Sequence, residues 1–209
     1  KIILSCGWKA AIFYHFLAEK GFFPKEDLET YCKPGSPYIG LTEPSVPGVN
    51  YSGGSMGHGL GAAVGYALSK KLKDEEGKVY CIMSEGELAI GTTWEAALIA
   101  THHKLNNLIV IVDYNGLQAM GSTSDVLGIE PLVKKWESFG WSTIAGMNGH
   151  MFGQIGTILE IVKGKGGPVV LLCETIKGKG VSLMENNNTF HYKAPSQEEY
   201  EVSLKELNG

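Results

Sequence analysis

Three short apolar runs decide which folds are open to this chain. They span Val79–Met83, Leu108–Val112 and Val169–Glu174, and none of them alternates apolar with polar residues. Such runs are typical of strands that are buried on both faces of a parallel sheet. The segment Thr93–Lys104 predicts a helix between the first two, which makes a strand-helix-strand unit. We therefore predict an α/β fold with a doubly wound, mostly parallel sheet and helices on both faces.

The rest of the chain continues this alternation. Further strands are predicted at Ile2–Ser5 and Trp141–Ala145, and prolines make residues 22–52 irregular. Five more helices are predicted, at Ala10–Lys20, Ser55–Lys73, Pro131–Phe139, Gly153–Lys163 and Gln197–Leu207. No repeat or linker divides the sequence, so we expect residues 1–209 to form one domain. Because the chain opens inside a strand, we also expect that preceding residues are missing or disordered.

Composition excludes several classes of partner. Eighteen Lys+Arg against 22 Asp+Glu give a net charge of -4, without the concentrated basic surface that nucleic acid requires. The apolar runs are far shorter than the ~20 residues of a membrane helix. The cysteines show neither zinc-site nor disulfide spacing; they are Cys6, Cys32, Cys81 and Cys173. We therefore expect a cytoplasmic protein that binds neither nucleic acid nor membrane.

Glycine is abundant, with 28 of 209 residues, and many of these glycines stand at the ends of the apolar runs. A backbone can turn tightly or approach a ligand closely at such positions. Four glycines lie inside the predicted helix Ser55–Lys73, so we expect its backbone to pack closely on a neighbour. In a doubly wound sheet the ligand binds beyond the carboxyl ends of the strands. The segments to consider there are 5–9, 84–91, 113–121 and 175–195.

Two of these segments carry oxygen ligands at neighbouring strand ends. Glu85 follows one predicted strand and Asn115 follows the next, and such ligands suit Mg²⁺ or Ca²⁺. Adjacent glycines would let a diphosphate approach, and the helix opening near Thr92 would direct N–H groups at it. The residues therefore predict a metal that bridges a diphosphate to the protein. The alternative is that Glu85 caps the helix and Asn115 supports an ordinary turn.

Ordered blocks along nearly the whole chain carry a family resemblance. They are Gly21–Pro24, Pro44–Val49, Gly57–Leu60, Trp94–Ala97, His102–Leu105, Val112–Gln118, Phe139–Trp141, Lys177–Ser182, Met184–Asn187 and His191. They resemble the thiamine diphosphate-binding, N-terminal part of transketolase, and more closely the separate N-terminal subunit of two-gene transketolases. The family signature is Gly-Asp-Gly followed some thirty positions later by Asn. Here Glu85 and Asn115 are thirty apart (115 - 85).

The resemblance implies thiamine diphosphate as cofactor, bound through Mg²⁺ or Ca²⁺. The metal would be held by Glu85, the side-chain oxygen of Asn115 and the backbone carbonyl of Leu117. The diphosphate would lie against Gly86 and Glu87. These five residues are the expected metal and diphosphate site.

Further residues would border the cofactor. His191 matches a family histidine near the diphosphate and the reacting carbon, and would hydrogen-bond oxyanions as they form. Trp8 stands where the family has a histidine beside the diphosphate and substrate. His58 is expected either near the thiazolium ring or in a structural position, and His150 in a positional one.

The resemblance also implies a partner. In this family a second domain holds the aminopyrimidine ring and provides the glutamate that activates the cofactor, and nothing in this chain resembles that domain. We therefore expect half of each active site here, completed by a C-terminal transketolase-like subunit in an α2β2 assembly.

The chain departs from the family pattern at chemically important positions. Ser-Lys-Gly-His reads Ser5-Cys6-Gly7-Trp8, Gly-His-Pro reads Gly40-Leu41-Thr42, and Gly-Asp-Gly reads Ser84-Glu85-Gly86, while a family glutamate is Ile90. Our interpretation is a transferase that moves a two-carbon unit from a keto donor to an aldehyde or ketone acceptor. The donor would be less hydroxylated than a phosphoketose, such as pyruvate, or the acceptor unusual, such as a nucleotide-activated keto-sugar. The alternatives are unchanged transketolase activity and a catalytically silent, structural or regulatory subunit.

Overall fold

The computed structural model, which describes residues 1–209, contains one five-stranded parallel sheet and a small antiparallel hairpin. The strands are β1 (Ile2–Leu4), β2 (Val79–Ser84), β3 (Leu108–Tyr114), β4 (Leu117–Gln118), β5 (Gly121–Ser122), β6 (Ser142–Asn148) and β7 (Val169–Glu174). The parallel sheet has the order β1-β2-β3-β7-β6, and β4 pairs with β5. The three apolar runs therefore form the three inner strands.

Helices cover both faces of this sheet. They are α1 (Ala10–Glu19), α2 (Gly59–Leu72), α3 (Gly91–His102), α4 (Thr123–Val126), α5 (Leu132–Ser138), α6 (Phe152–Val162) and α7 (Gln197–Asn208). The chain runs β1, β2, β3 and then β6 in one direction across the sheet, and returns to β7 through α6. This reversal makes the sheet doubly wound, as predicted. No helix combines the length and the apolar character that crossing a membrane requires.

Packing on both faces explains why the inner strands do not alternate apolar and polar residues. On one face, Cys81 and Val110 belong to a cluster of 22 buried residues with parts of α2, α3 and α5. On the other face, Ile109 and Leu171 pack with Val162 of α6. Successive strand residues point to opposite faces, so an inner strand must be apolar at nearly every position.

The predicted elements differ from the structure mainly at their ends. The helix predicted over Ser55–Lys73 begins only at Gly59, because Gly57 has φ +77°, a left-handed conformation that ends regular helix. The strand predicted over Trp141–Ala145 is Ser142–Asn148. The segment after β2 is not an open loop, since Glu85–Ala89 forms a 3₁₀ helix.

The close packing expected for four glycines occurs at two of them, Gly57 and Gly59, and a Cβ on Gly57 would lie 2.6 Å from Ile90 Cγ2. A Cβ on Gly59 would lie 2.5 Å from Ser5 Cα, so α2 begins in direct contact with the end of β1. Gly61 and Gly65 have no neighbour within 4 Å of the corresponding position, and for them the expectation was wrong. The contact at Gly59 places the start of α2 beside the carboxyl end of the sheet.

Gly59→Ala should destabilise the protein, and Gly61→Ala should stabilise it. The methyl group at Gly59 has no space, and overpacking of this kind costs about 1–3 kcal/mol. The exposed Gly61 has space, and alanine gains roughly 0.5–1 kcal/mol over glycine inside a helix. Urea unfolding of both variants measures the two free energies. Equal effects would contradict the close approach of α2 to Ser5.

Candidate active site

A cavity of about 1010 Å³ lies at the carboxyl ends of the five parallel strands. Each strand end contributes to its lining: Trp8 and Lys9 after β1, Ser84 on β2, Asp113 on β3, His150 after β6 and Thr175 after β7. All four segments singled out in the sequence reach this cavity. Its position is the usual ligand site of a doubly wound sheet.

Asp113 connects three of these strand ends. The Lys9 ammonium and the Thr175 hydroxyl both donate short hydrogen bonds to its carboxylate, and Asn115 Nδ2 lies 3.4 Å from Oδ1. Burial works to raise the pKa of Asp113, but Lys9 and these donors hold it below its usual value. Burial likewise works against the charge of Lys9, whose pKa is nevertheless raised by acidic neighbours that include Asp113. The pair is therefore charged at neutral pH.

Glu85 is buried directly behind the cavity, with 1% of its surface exposed. Oε2 accepts from the Gly116 N–H at 2.7 Å, and Oε1 accepts from the Thr123 hydroxyl. No Lys, Arg or His forms an ion pair with it. Burial raises the pKa of Glu85, although the Thr123 hydroxyl and the N–H groups of Gly116 and Asn115 act to lower it. Buried carboxylates normally pair with a cationic side chain or coordinate a metal, and otherwise become neutral by taking up a proton.

The other expected metal ligands lie next to Glu85. Asn115 and Leu117 both line the cavity. Asn115 Oδ1 accepts from the Leu117 N–H at 3.0 Å, which is the turn-supporting role of our alternative interpretation, and it retains a second lone pair. The other half of that alternative is wrong, because α3 begins after Ile90 without a side-chain cap, and the Glu85 carboxylate binds Gly116 and Thr123 instead. Carboxylate, amide and carbonyl oxygens together fit a hard divalent cation.

Glu87 lies behind the lining of the cavity, contrary to its expected position against the diphosphate. It is 0% exposed, and its carboxylate accepts from the Ser5 hydroxyl, the Gly57 N–H at 3.1 Å and the Ser84 N–H at 2.9 Å. These donors use its oxygens to hold the end of β1 and the turn before α2 together. Gly86, by contrast, does line the cavity.

The first turn of α3 does not line the cavity, contrary to the expectation that its N–H groups meet a diphosphate. The Thr92 and Thr93 hydroxyls donate to the carbonyls of Gly57 and Glu87, and no residue of this first turn lines the cavity. The 3₁₀ helix that contains Gly86 occupies the place instead.

His191 lines the cavity beside Lys177. Lys177 Nζ lies 3.4 Å from His191 Nδ1 and has no acceptor capacity, so Nδ1 accepts and the ring proton is on Nε2. Burial lowers the pKa of His191, and the charge of Lys177 lowers it further. At neutral pH the imidazole is therefore a neutral hydrogen-bond donor at the cavity.

His150 and His58 have positional contacts. His150 Nε2 accepts from the Ile176 N–H at 2.8 Å, which joins the segments after β6 and β7, and His150 also lines the cavity. His58 is exposed, its Nδ1 lies 3.0 Å from the Met56 carbonyl, and it does not line the cavity. Of the two alternatives for His58, its contacts favour the structural one.

The residues that depart from the family pattern differ in whether they line the cavity. Trp8 lines the cavity, whereas Leu41 packs on Gly54 and Ile90 packs on Gly57, and neither of these two lines it. Of the three apolar replacements, only Trp8 therefore changes the surface that a ligand would meet.

The sequence did not reveal Lys9 or Thr175. Thr175 follows a predicted strand, so its place at the sheet edge could have been inferred. Lys9 meets Asp113 across 104 residues of sequence, and no local pattern indicates a contact over that separation.

Comparisons with known proteins agree with this geometry. The family described as transketolase, thiamine diphosphate binding domain, matches residues 1–208. The chain belongs to this transketolase family. It is 40% identical over 206 residues to a subunit of apulose-4-phosphate transketolase from Actinobacillus succinogenes, covering 98% of this chain and 74% of that protein. It is 35% identical to 6-deoxy-6-sulfo-D-fructose transketolase subunit SqwG of a Clostridium species, covering 99% of this chain and 76% of that protein.

Solved structures give the same result. Transketolase from Campylobacter jejuni superposes with a TM-score of 0.93 at 28% identity, over 100% of this chain and 34% of that chain. This chain therefore spans about a third of that solved transketolase. The likeness confirms the predicted fold class, and the family membership makes the chain a component of a thiamine diphosphate-dependent transferase.

Lys177→Met should raise the pKa of His191. Removing the neighbouring positive charge makes the imidazolium form less unfavourable, while burial continues to oppose it. NMR titration of the ring protons measures the change. Lys179→Met is the matched control, since Lys179 is exposed and paired with Glu185 at 3.3 Å. An unchanged or lower pKa of His191 in the Lys177 variant would contradict the contact.

Proposed function

We propose that this chain carries the metal- and diphosphate-binding half of a two-subunit, transketolase-like active site. The enzyme would transfer a two-carbon ketol or acyl unit from a keto donor to an aldehyde or ketone acceptor. The observation that carries this proposal is the buried Glu85 carboxylate, which has no cationic partner and lies behind Asn115 and Leu117 at the cavity.

Formal charge around the cavity supports a bound divalent cation. Three carboxylates, those of Glu85, Glu87 and Asp113, outnumber the two ammonium groups of Lys9 and Lys177. A diphosphate would add further negative charge to this surplus. Mg²⁺ or Ca²⁺ would offset part of this negative charge, because a bound ion is often the largest local charge in such a site.

The residues that would hold the metal and the cofactor are four of the five that the family resemblance implies, because Glu87 lies behind the lining of the cavity. Glu85, Asn115 Oδ1 and the Leu117 carbonyl would bind the cation, and the diphosphate would lie against Gly86. When bound, thiamine diphosphate supplies a carbon nucleophile that can accept and release a two-carbon unit. A side chain at Gly86 would meet Met56 Cε at 3.1 Å, so glycine preserves space on the cavity side.

His191 and Trp8 would act at the reacting end. With its proton on Nε2, His191 would donate a hydrogen bond to an oxyanion of the substrate. Trp8 would exclude water and, with one indole N–H and no acceptor, would pair fewer sugar hydroxyls than a histidine, which favours a less hydroxylated donor or an unusual acceptor such as a nucleotide sugar. The relatives are named for a sugar phosphate and a sulfosugar, and sugar phosphates are therefore further candidates.

A partner subunit would complete the site. The carboxylates near the cavity are all engaged, since Asp113 binds Lys9 and Thr175, while Glu85 and Glu87 lie behind the lining. None is free to take a proton from the cofactor, so we assign that role to a C-terminal transketolase-like subunit in an α2β2 assembly. Several relatives are named as single subunits of a transketolase, which supports such a division.

One observation favours the alternative of a silent or weakly binding subunit. Glu85 is longer than the family aspartate, and its carboxylate already accepts from Gly116 and Thr123. If these bonds hold Glu85 away from the cation, the chain would serve assembly or regulation.

We further assign the chain to the cytoplasm and treat residues 1–209 as one domain. All four cysteines are free thiols, which suits a reducing compartment. The buried clusters on the two faces of the sheet share its inner strands, which favours a single cooperative unit.

Cofactor binding by the two-subunit complex should require a divalent metal and depend on Glu85. We expect Glu85→Gln and Asn115→Ala each to weaken thiamine diphosphate binding by more than about tenfold in the presence of Mg²⁺. Calorimetry with and without EDTA measures this, and Glu137→Gln, on the exposed side of α5, is the control. Wild-type complex that binds no cofactor would favour the silent subunit. Unchanged affinity in both variants would reject the metal site.

The chain alone should show no turnover, and addition of the partner should restore it. The reason is that no carboxylate near the cavity is free to activate the cofactor. A coupled assay with xylulose 5-phosphate and with pyruvate as donors checks both states. Turnover by the isolated chain would contradict the divided active site.

A further inference from the structure

Lys9 is a charged residue at the cavity that the proposed chemistry does not use. It belongs to the segment after β1, yet its ammonium contacts Asp113 at the end of β3. In the sheet, β2 lies between these two strands, and Ser84 at the end of β2 is the register partner of Asp113. The Lys9 side chain therefore spans the end of β2, where the turn that contains Gly86 begins.

The ammonium retains donor capacity at this position. Lysine has three N–H donors, and Asp113 is the one acceptor found for Lys9. About a third of the Lys9 side chain is exposed (31%), and the residue lines the cavity. A charged, partly dehydrated donor that is incompletely paired can bind a further anion.

No other residue of this segment offers a positive charge. Cys6 is buried, burial raises its pKa to about 12, and it is therefore neutral. Trp8 lines the cavity without charge. Where the family pattern has a lysine and a histidine, this chain has Cys6 and Trp8, and Lys9 carries the positive charge of this segment three positions after Cys6.

We propose that Lys9 is an anion-binding residue of this cavity that donates to a phosphoryl group above the end of β2. This inference rests on the proposed function and adds a residue to it. The phosphoryl group belongs either to the diphosphate of the cofactor or to a phosphorylated substrate. Asp113 keeps the ammonium in place between the two strand ends.

A competing explanation is that Lys9 only neutralises Asp113. Removing Lys9 would then leave an uncompensated carboxylate that repels any anion in the cavity. A double variant separates the two roles, because Lys9→Met combined with Asp113→Asn removes both charges. If Lys9 only neutralises Asp113, the double variant recovers anion binding; if Lys9 donates directly, it does not.

The first experiment measures binding of inorganic pyrophosphate with Mg²⁺ to the full chain by calorimetry. We expect Lys9→Met to weaken binding by about tenfold or more, Lys9→Arg to retain most of it, and the double variant to remain weak. Lys25→Met is the matched control, since Lys25 also forms an ammonium-carboxylate pair, with the exposed Glu19. Recovery of binding in the double variant would overturn the proposal. No loss in Lys9→Met, or a wild-type chain that does not bind pyrophosphate, would exclude the diphosphate of the cofactor, and together with an unchanged KM for phosphorylated donors it would overturn the proposal.

The second experiment uses the two-subunit complex and identifies the source of the phosphoryl group. Weaker binding of thiamine diphosphate to Lys9→Met assigns Lys9 to the cofactor. Unchanged cofactor binding with a raised KM for phosphorylated but not for unphosphorylated donors assigns it to the substrate. No change in either quantity overturns the proposal. The proposed function fails separately, if the wild-type complex shows no metal-dependent cofactor binding.

Discussion

The parallel pairing of β2 with β3 is the constraint on which the site depends. It places Ser84 opposite Asp113 in register, so the turns that follow the two strands begin side by side. Glu85 then reaches the Gly116 N–H at 2.7 Å although the two residues are 31 apart in sequence. A shift of the register would separate these groups, and the oxygen atoms that we propose as metal ligands could not converge on one cation.

Two buried carboxylates beside this pairing have different energetic consequences. Glu87 is surrounded by donors from Ser5, Gly57 and Ser84, which compensate its loss of water. Glu85 has fewer donors, and burial raises its pKa. A buried charge that is incompletely compensated by its donors, as at Glu85, is common at functional sites. It is uncommon in structural networks in which every polar group is hydrogen-bonded.

The fold could be predicted because its signal is local. Continuous apolar runs, glycines at their ends and a helix between two of them specify a parallel sheet, and the sheet specifies where a ligand binds. The positions of Asn115 and Leu117 at the cavity follow from this reasoning. The location of Glu87 and the reach of Lys9 do not, because both are set by contacts with distant segments. The residues around an acidic side chain at the end of a strand do not indicate whether its carboxylate faces the ligand or is buried and stabilises the turn.

The uncompensated charge of Glu85 also bears on the choice between an enzyme and a silent subunit. Assembly alone gains nothing from a buried carboxylate without a cation, since burial of such a charge destabilises the fold unless a partner compensates it. A glutamine side chain at this position could accept hydrogen bonds through its amide oxygen without carrying a negative charge. The ion pair of Lys9 with Asp113 leads to the same conclusion, because a hydrophobic pair of similar volume would often be at least as stable. Both charge arrangements therefore favour the proposed enzyme over the silent subunit.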